Sequence, residues 1–217
     1  MLKLGLPEQP SLRIEYAYLL MARAAGIELT PFQLIGAGDR PHLLIRRFDW
    51  IGDQRLHLHS LSGLWHRPKA GMDYSDLFRA AVRLGQSRAA VVEIARRLLF
   101  NLYALNYDDH GRNHAFLYDR ATSGWVLSPA FDLTYTPGTL SRGLTIAGEV
   151  RPSAETLVSF LGSVAISRVE AAKLCEEVLA ATARWAEFAG KAGISASKGE
   201  EIGAALRQAV ERIGRIV

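Results

Sequence analysis

The chain holds one cysteine, Cys175, among its 217 residues. A single thiol excludes an intramolecular disulfide framework and fits a reducing, cytoplasmic setting. No apolar run approaches the roughly 18 residues of a membrane span, so no membrane association is expected. The opening residues, MLKLGLPEQP, have no apolar h-region and meet a proline early, so no secretory leader is expected. Internal repeats and low-complexity segments are missing, which argues against a solenoid or a disordered tail. Charge of one sign is also scarce: 26 Lys and Arg against 22 Asp and Glu leave a net charge of +4. Such a mildly basic balance permits a nucleotide, a nucleic acid or an acidic protein as partner without demanding any of them. No helix-turn-helix sequence stands out, so direct reading of DNA bases is not expected.

What remains is ordinary globular material, 49% hydrophobic and 22% charged, enough for one core with at most a small satellite lobe. Residues 1–6 read as the end of a strand. Ile14, Ala17, Tyr18, Met21 and Ala25 form a helical stripe that Gly26 would stop. The stretch from Phe32 reads as strand–turn–strand–turn–strand, with turns at GAGDRP (36–41) and IGD (51–53) and LLIRRFDW (43–50) as the central strand. After the loop HRPKAGMDYS (66–75), Asp73 or Ser75 can cap a helix, and a longer helix follows over about 88–106. HAFLYD and GWVLSPAFDL read as a hairpin joined through RATSG. Beyond TPGTLSRGLTIAG the chain is helical over 153–164, 167–193 and 197–216, with Ser167 and Glu170 as a capping box. The expected organisation is a small β-containing region over 1–65 and a helical body over 66–217.

The chemistry concentrates in NYDDHGRNHAFLYD (106–119). Asp108, His110 and Asn113 form a D-x-H-x-x-N pattern where the long helix ends, and the hairpin brings Asp132 back towards it. A carboxylate that orients a hydroxyl, with a carboxamide and a second carboxylate to hold Mg²⁺, suits phosphoryl transfer. Taken alone, an Asp- and Asn-rich helix end is common, and its spacing to Asn113 and Asp132 is what raises it above that. Asp132 sits between apolar residues, so a metal or an arginine is expected to compensate it. Asp109 reads as a solvated neighbour. His110 can meet a phosphate or brace the loop, and His110 with His114 lacks a third ligand for zinc. His57 and His59 share one face of a strand, in surface or packing roles. Lys3 is a candidate for nucleotide phosphates, with Glu15 on the following helix as its partner.

In this order, Lys3, the helix with Glu15-Tyr16, LLIRRFDW, D-x-H-x-x-N and SPAFDL, the chain resembles the HipA family, serine/threonine kinases of bacterial toxin–antitoxin modules. The resemblance spans nearly the whole chain and is strongest over 100–137 and RRFD (46–49). It implies an α+β, mainly α, protein-kinase-like fold with a truncated small lobe and a helical large lobe. It implies Asp108 as catalytic aspartate, Asn113 and Asp132 as Mg²⁺ ligands, and Lys3 and His110 at the ATP phosphates. It also implies RRFD as a hinge strand, with Phe48 against the adenine. The implied cofactors are ATP and Mg²⁺; the implied partners are a protein substrate and a HipB-like DNA-binding antitoxin, with DNA met only indirectly. Two positions depart from the family pattern: Arg46 replaces an acidic residue, and Arg112 stands where lysine is common. Family members carry a further N-terminal region with a Gly-rich loop over the phosphates, so a fragment or a shortened relative is expected. An ATP- and Mg²⁺-dependent protein kinase is thus the leading expectation. A catalytically weak protein that acts by binding its antitoxin is the alternative, and a metal-dependent hydrolase is weaker for want of a His-rich metal shell.

Overall fold

In this computed structural model, residues 1–5, 11–36, 40–68, 71–138 and 143–217 are described. Along the chain come β1 (Leu2–Lys3), α1 (Ser11–Ala24), β2 (Phe32–Ile35) and β3 (His42–Ile45), then the hairpin β4 (Trp50–Ile51) and β5 (Gln54–Arg55). They are followed by β6 (Leu58–Ser60), α2 (Leu61–Leu64), α3 (Tyr74–Arg83), α4 (Arg88–Tyr103), β7 (Ala115–Asp119) and β8 (Gly124–Leu127). The chain ends in α5 (Ala154–Ser163), α6 (Arg168–Ala183), α7 (Trp185–Lys191) and α8 (Ala196–Ile213). The class is α+β and mainly helical. Three small antiparallel sheets are ordered β1-β3-β2, β4-β5 and β6-β7-β8. No helix among the described residues is long and apolar enough to cross a membrane.

Local chemistry sets the helix ends. Gly26, at φ +80°, closes α1: its N–H donates to Arg23 and that of Ile27 to Ala22, while the Arg96 guanidinium leaves little room for a side chain. Asp73 caps α3 in a reciprocal capping box with Asp76. The Ser167–Glu170 box at α6 forms as the sequence indicates, and hydrogen bonds from the Ser167 backbone and hydroxyl hold the Glu170 carboxyl down at about 2. β6 lies before residue 65 yet pairs with β7. Tyr18 and Leu61 share one buried cluster with Leu98, Phe160 and Leu206, so the core runs across residue 65.

Two expected elements are broken. LLIRRFDW is not one strand, because β3 stops at Ile45. The backbone opposite Arg46 is that of Pro31, which has no N–H to continue the ladder. Phe48 and Asp49 then form a turn braced by the two-pronged ion pair of Arg47 with Asp49. The helical run over 167–193 divides at Arg184, which caps α6 and opens α7. Beyond the break Trp185 turns into the core, its ring 5.6 Å from that of Tyr18 and its Nε1 donating to Gly199. Leu6 at the end of the first strand, the middle of GAGDRP, part of the 66–75 loop and part of TPGTLSRGLTIAG lie outside the described residues.

Candidate active site

The D-x-H-x-x-N loop leaves the end of α4 through a tight helix stop. Leu105 takes φ +56°, its N–H donates to Leu102, and that of Asn106 reaches back to Asn101. A β-carbon in this left-handed region is strained, and the burial of Leu105 holds it there. Within the loop, the His110 N–H donates to the Asp108 carbonyl and the Asn113 N–H to the His110 carbonyl. Asn113 Nδ2 donates to the Asp108 carbonyl at 3.0 Å, and the Asp108 N–H to Thr136 Oγ1 at 3.0 Å. From outside, Leu61 and Ser62 at the start of α2 donate to the carbonyls of His114 and Gly111, each at 2.8 Å. A β-carbon on Gly111 would come within 2.7 Å of Met72 Sδ and Ser62 Oγ, so the close approach requires glycine. Among the described residues, Asp108 Oδ1 is buried with no hydrogen-bond partner, and so is Nδ1 of the buried His110.

Asp109 is not the solvated neighbour that its sequence position suggested. It is 5% exposed, its Oδ1 lies 2.5 Å from His114 Nε2, and its other oxygen accepts the Tyr74 hydroxyl hydrogen bond. Asn101 Nδ2 donates to the Tyr74 oxygen at 3.1 Å, Asn106 Nδ2 to Asn101 Oδ1 at 2.9 Å, and Thr136 Oγ1 to Asn106 Oδ1 at 3.3 Å. Burial, and after it the Asp109 charge, pushes the Tyr74 hydroxyl well above its ordinary value. Four of these residues, Tyr74, Asn101, Asn106 and His114, carried no role in the sequence reading. The available signal was Asn101, a carboxamide inside the apolar run RLLFNLYAL, which needs a buried partner.

A second corner joins three elements. Lys3 Nζ on β1 lies 2.6 Å from Glu15 Oε1 on α1 and 2.8 Å from Asp132 Oδ1. The expected Lys3–Glu15 pair is therefore formed, and Lys3 also pairs with Asp132. Compensation of the Asp132 charge is less demanding than expected, because its side chain is half-exposed. Burial alone would pull the Lys3 ammonium down, but its two carboxylate partners outweigh it and the net shift is upward. Burial pushes the Glu15 carboxyl up against the pull of Lys3. Asp132 itself takes φ +54°, a left-handed conformation that aspartate tolerates better than most residues.

Lys3 and Asp132 line a cavity of about 840 Å³, together with Phe48, Phe131, Phe32 and Arg112. The rings of Phe48 and Phe131 pack 5.4 Å apart at one side. Of the six expected site residues, Lys3, Phe48 and Asp132 meet in this wall. Asp108, His110 and Asn113 share the adjoining loop, which reaches the cavity through Arg112. His57 and His59 sit 5.1 Å apart, both packed edge-on against Trp125.

A mainly helical body with a small sheet carrying Lys3, a cavity between them and the Asp108 loop at its edge make up a protein-kinase-like fold. The family model for the HipA-like C-terminal domain matches residues 1–211, and the chain belongs to this family. Two Sinorhizobium fredii proteins whose names carry the word kinase are similar. Y4mE is 28% identical over 129 residues, 54% of this chain and 30% of Y4mE. Y4dM is 29% identical over 148 residues, 61% of this chain and 34% of Y4dM. The matched stretch is thus about a third of each relative's length. Among solved structures, Shewanella oneidensis HipA, determined with HipB and operator DNA, superposes with a TM-score of 0.75 at 18% identity over 96% of this chain and 56% of that one. The Helicobacter pylori proinflammatory kinase CtkA gives a TM-score of 0.59 at 12% identity over 97% of this chain and 86% of that one. At these identities the likeness is one of fold.

Proposed function

We propose that the chain is the catalytic portion of an ATP- and Mg²⁺-dependent serine/threonine protein kinase of HipA type. The observation that carries the reading is the Lys3–Glu15–Asp132 ion-pair corner, on the wall of a cavity large enough for a nucleotide and next to the Asp108 loop. Lys3 offers a cation to the phosphates, and Phe48 with Phe131 offers an apolar face to the base. Asp108, whose Oδ1 has no protein partner, can accept the proton of an acceptor hydroxyl.

The donor chemistry suits magnesium. Asn113 and Asp132 would hold it through hard oxygen atoms, and no group of three His, Cys, Asp or Glu among the described residues forms an all-protein cage. Magnesium takes few protein ligands and completes its shell with phosphates and water. Bound there, it would neutralise phosphate charge, while the protein's part is to position the hydroxyl and exclude competing geometry.

Thermal melting in millimolar ATP with Mg²⁺ tests the proposal. Ligand at a hundredfold over Kd adds about 2.7 kcal/mol, so a rise in Tm is expected, and Asp132→Ala should remove it. No shift for the unsubstituted chain would overturn the reading. The alternative, an inactive protein that binds a DNA-binding antitoxin, draws support from HipA having been solved with HipB and operator DNA. Co-purification of a small DNA-binding protein with no phosphotransfer would favour it.

A further inference from the structure

We propose that Asp109 is a positioning residue: clamped between Tyr74 and His114, it fixes the direction of its neighbour Asp108, whose Oδ1 has no hydrogen-bond partner among the described residues. The inference rests on the kinase reading only for the role of Asp108; the geometry of the clamp stands without it.

The argument begins with cost. A buried carboxylate loses several kcal/mol of hydration, and well-packed apolar side chains in its place are often neutral or stabilising. Asp109 is buried with two side-chain donors, and its partners are buried too. Stability alone gives this arrangement little reason to exist; fixing one conformation does. The clamp joins four elements. Tyr74 opens α3, Asn101 lies in the last turn of α4 with Asn106 just beyond its end, His114 leads into β7, and the Asp109 carbonyl accepts from Leu144 at 2.7 Å. The Tyr74 and His114 rings also pack edge to face, 5.7 Å apart. His114 meets Asp109 through Nε2, and its Nδ1 has no partner among the described residues.

The contrast between the two adjacent aspartates makes the case. Asp109 has both oxygens engaged, whereas Asp108 has its backbone tied through Thr136 and Asn113 and one carboxylate oxygen left unpartnered. Neighbouring residues in this turn serve opposite purposes, one anchoring inward and the other free to accept a proton. A misplacement of about 1 Å at such a group can lower turnover about a hundredfold.

The test uses the full chain with Asp109→Asn, which keeps volume but places an amide N–H against one of the two donors. Amide hydrogen exchange over 107–114 and steady-state kinetics are measured well below the melting point. Support would be exchange in the loop faster by about tenfold or more, with kcat down about tenfold to a hundredfold and KM for ATP within about twofold. Unchanged loop exchange, or unchanged kcat per folded molecule in an active chain, would overturn the proposal. If the unsubstituted chain transfers no phosphate, the kinase reading fails on its own, and the exchange measurement still decides whether Asp109 orders the loop. Should Asp109→Asn fail to fold, Tyr74→Phe removes one donor without adding volume and is judged by the same readouts.

Discussion

The two corners of the site are built in opposite ways. The Asp108 loop is held by backbone hydrogen bonds from α2, by the Leu144 segment and by a network of buried side chains. The Lys3 corner is held by ion pairs, with Lys3 about a quarter exposed and Asp132 about half exposed. Exposed pairs contribute about 0–1 kcal/mol and exchange partners readily, whereas a buried donor or acceptor left unpaired costs about 1–3 kcal/mol. The loop is therefore set before any ligand arrives, while the corner can trade Lys3–Asp132 contacts for those of a charged ligand. Rigidity sits with the group proposed to handle the proton, and adaptability with the groups proposed to handle charge.

Asp108→Asn attacks the rigid side directly. Loss of a general base lowers the rate about 10²–10⁴-fold, and because Oδ1 has no partner to lose, the melting temperature should hold or rise. Initial rates and a thermal melt on the same sample decide it; a variant that keeps more than about a tenth of the rate removes Asp108 from the chemistry.

Gly111→Ala tests the packing beneath the loop. Its β-carbon would press on Met72 and Ser62, so a loss of about 1–3 kcal/mol is expected, read as a fall of about 2–4 °C per kcal/mol in a chain of this size. Gly162→Ala on α5, where a β-carbon meets open space, is the control and should be neutral or slightly stabilising. Equal effects at the two positions would deny the loop its tight seat.

The smallest effect concerns the adaptable side, at the cavity wall near Phe48. The hydrogen bond from Arg47 lowers the Asp49 carboxyl below its ordinary range, against the opposing effect of burial. A lowered native value means that the folded state releases the proton more readily than the unfolded state. The resulting stability is present above the ordinary carboxylate pKa and is lost as pH falls through the lowered native value. Asp49→Asn should flatten that acid limb of the stability–pH curve: it lowers stability at neutral pH, where the pair contributes, and converges with the unsubstituted chain at low pH. An unaltered acid limb would show the pair to be energetically idle.

Much of this was legible in the residues, and each failure has a physical cause. The α1 stripe and its Gly26 stop, the Asp73 and Ser167 caps and the β7–β8 hairpin are local signals, and local signals survive folding. The Lys3–Glu15 pair was legible as the lysine–glutamate pair that recurs in kinase sites. The interruption of LLIRRFDW was not, because it depends on Pro31, a partner from another strand. The break at Arg184 depends on where Tyr18 receives Trp185. Asp109 was misjudged because burial is a property of the surroundings, and the residues that surround it come from α3, α4 and the start of β7.

By itself, then, the sequence determined the family and the mainly helical class, since spacing along a chain and intrinsic turn and cap preferences need no distant partner. Only the tertiary structure decided which of two adjacent aspartates has both carboxylate oxygens hydrogen-bonded. It also decided that Lys3 bridges Glu15 and Asp132 across 129 residues of chain. Both depend on desolvation and on hydrogen bonds between groups that folding alone brings together.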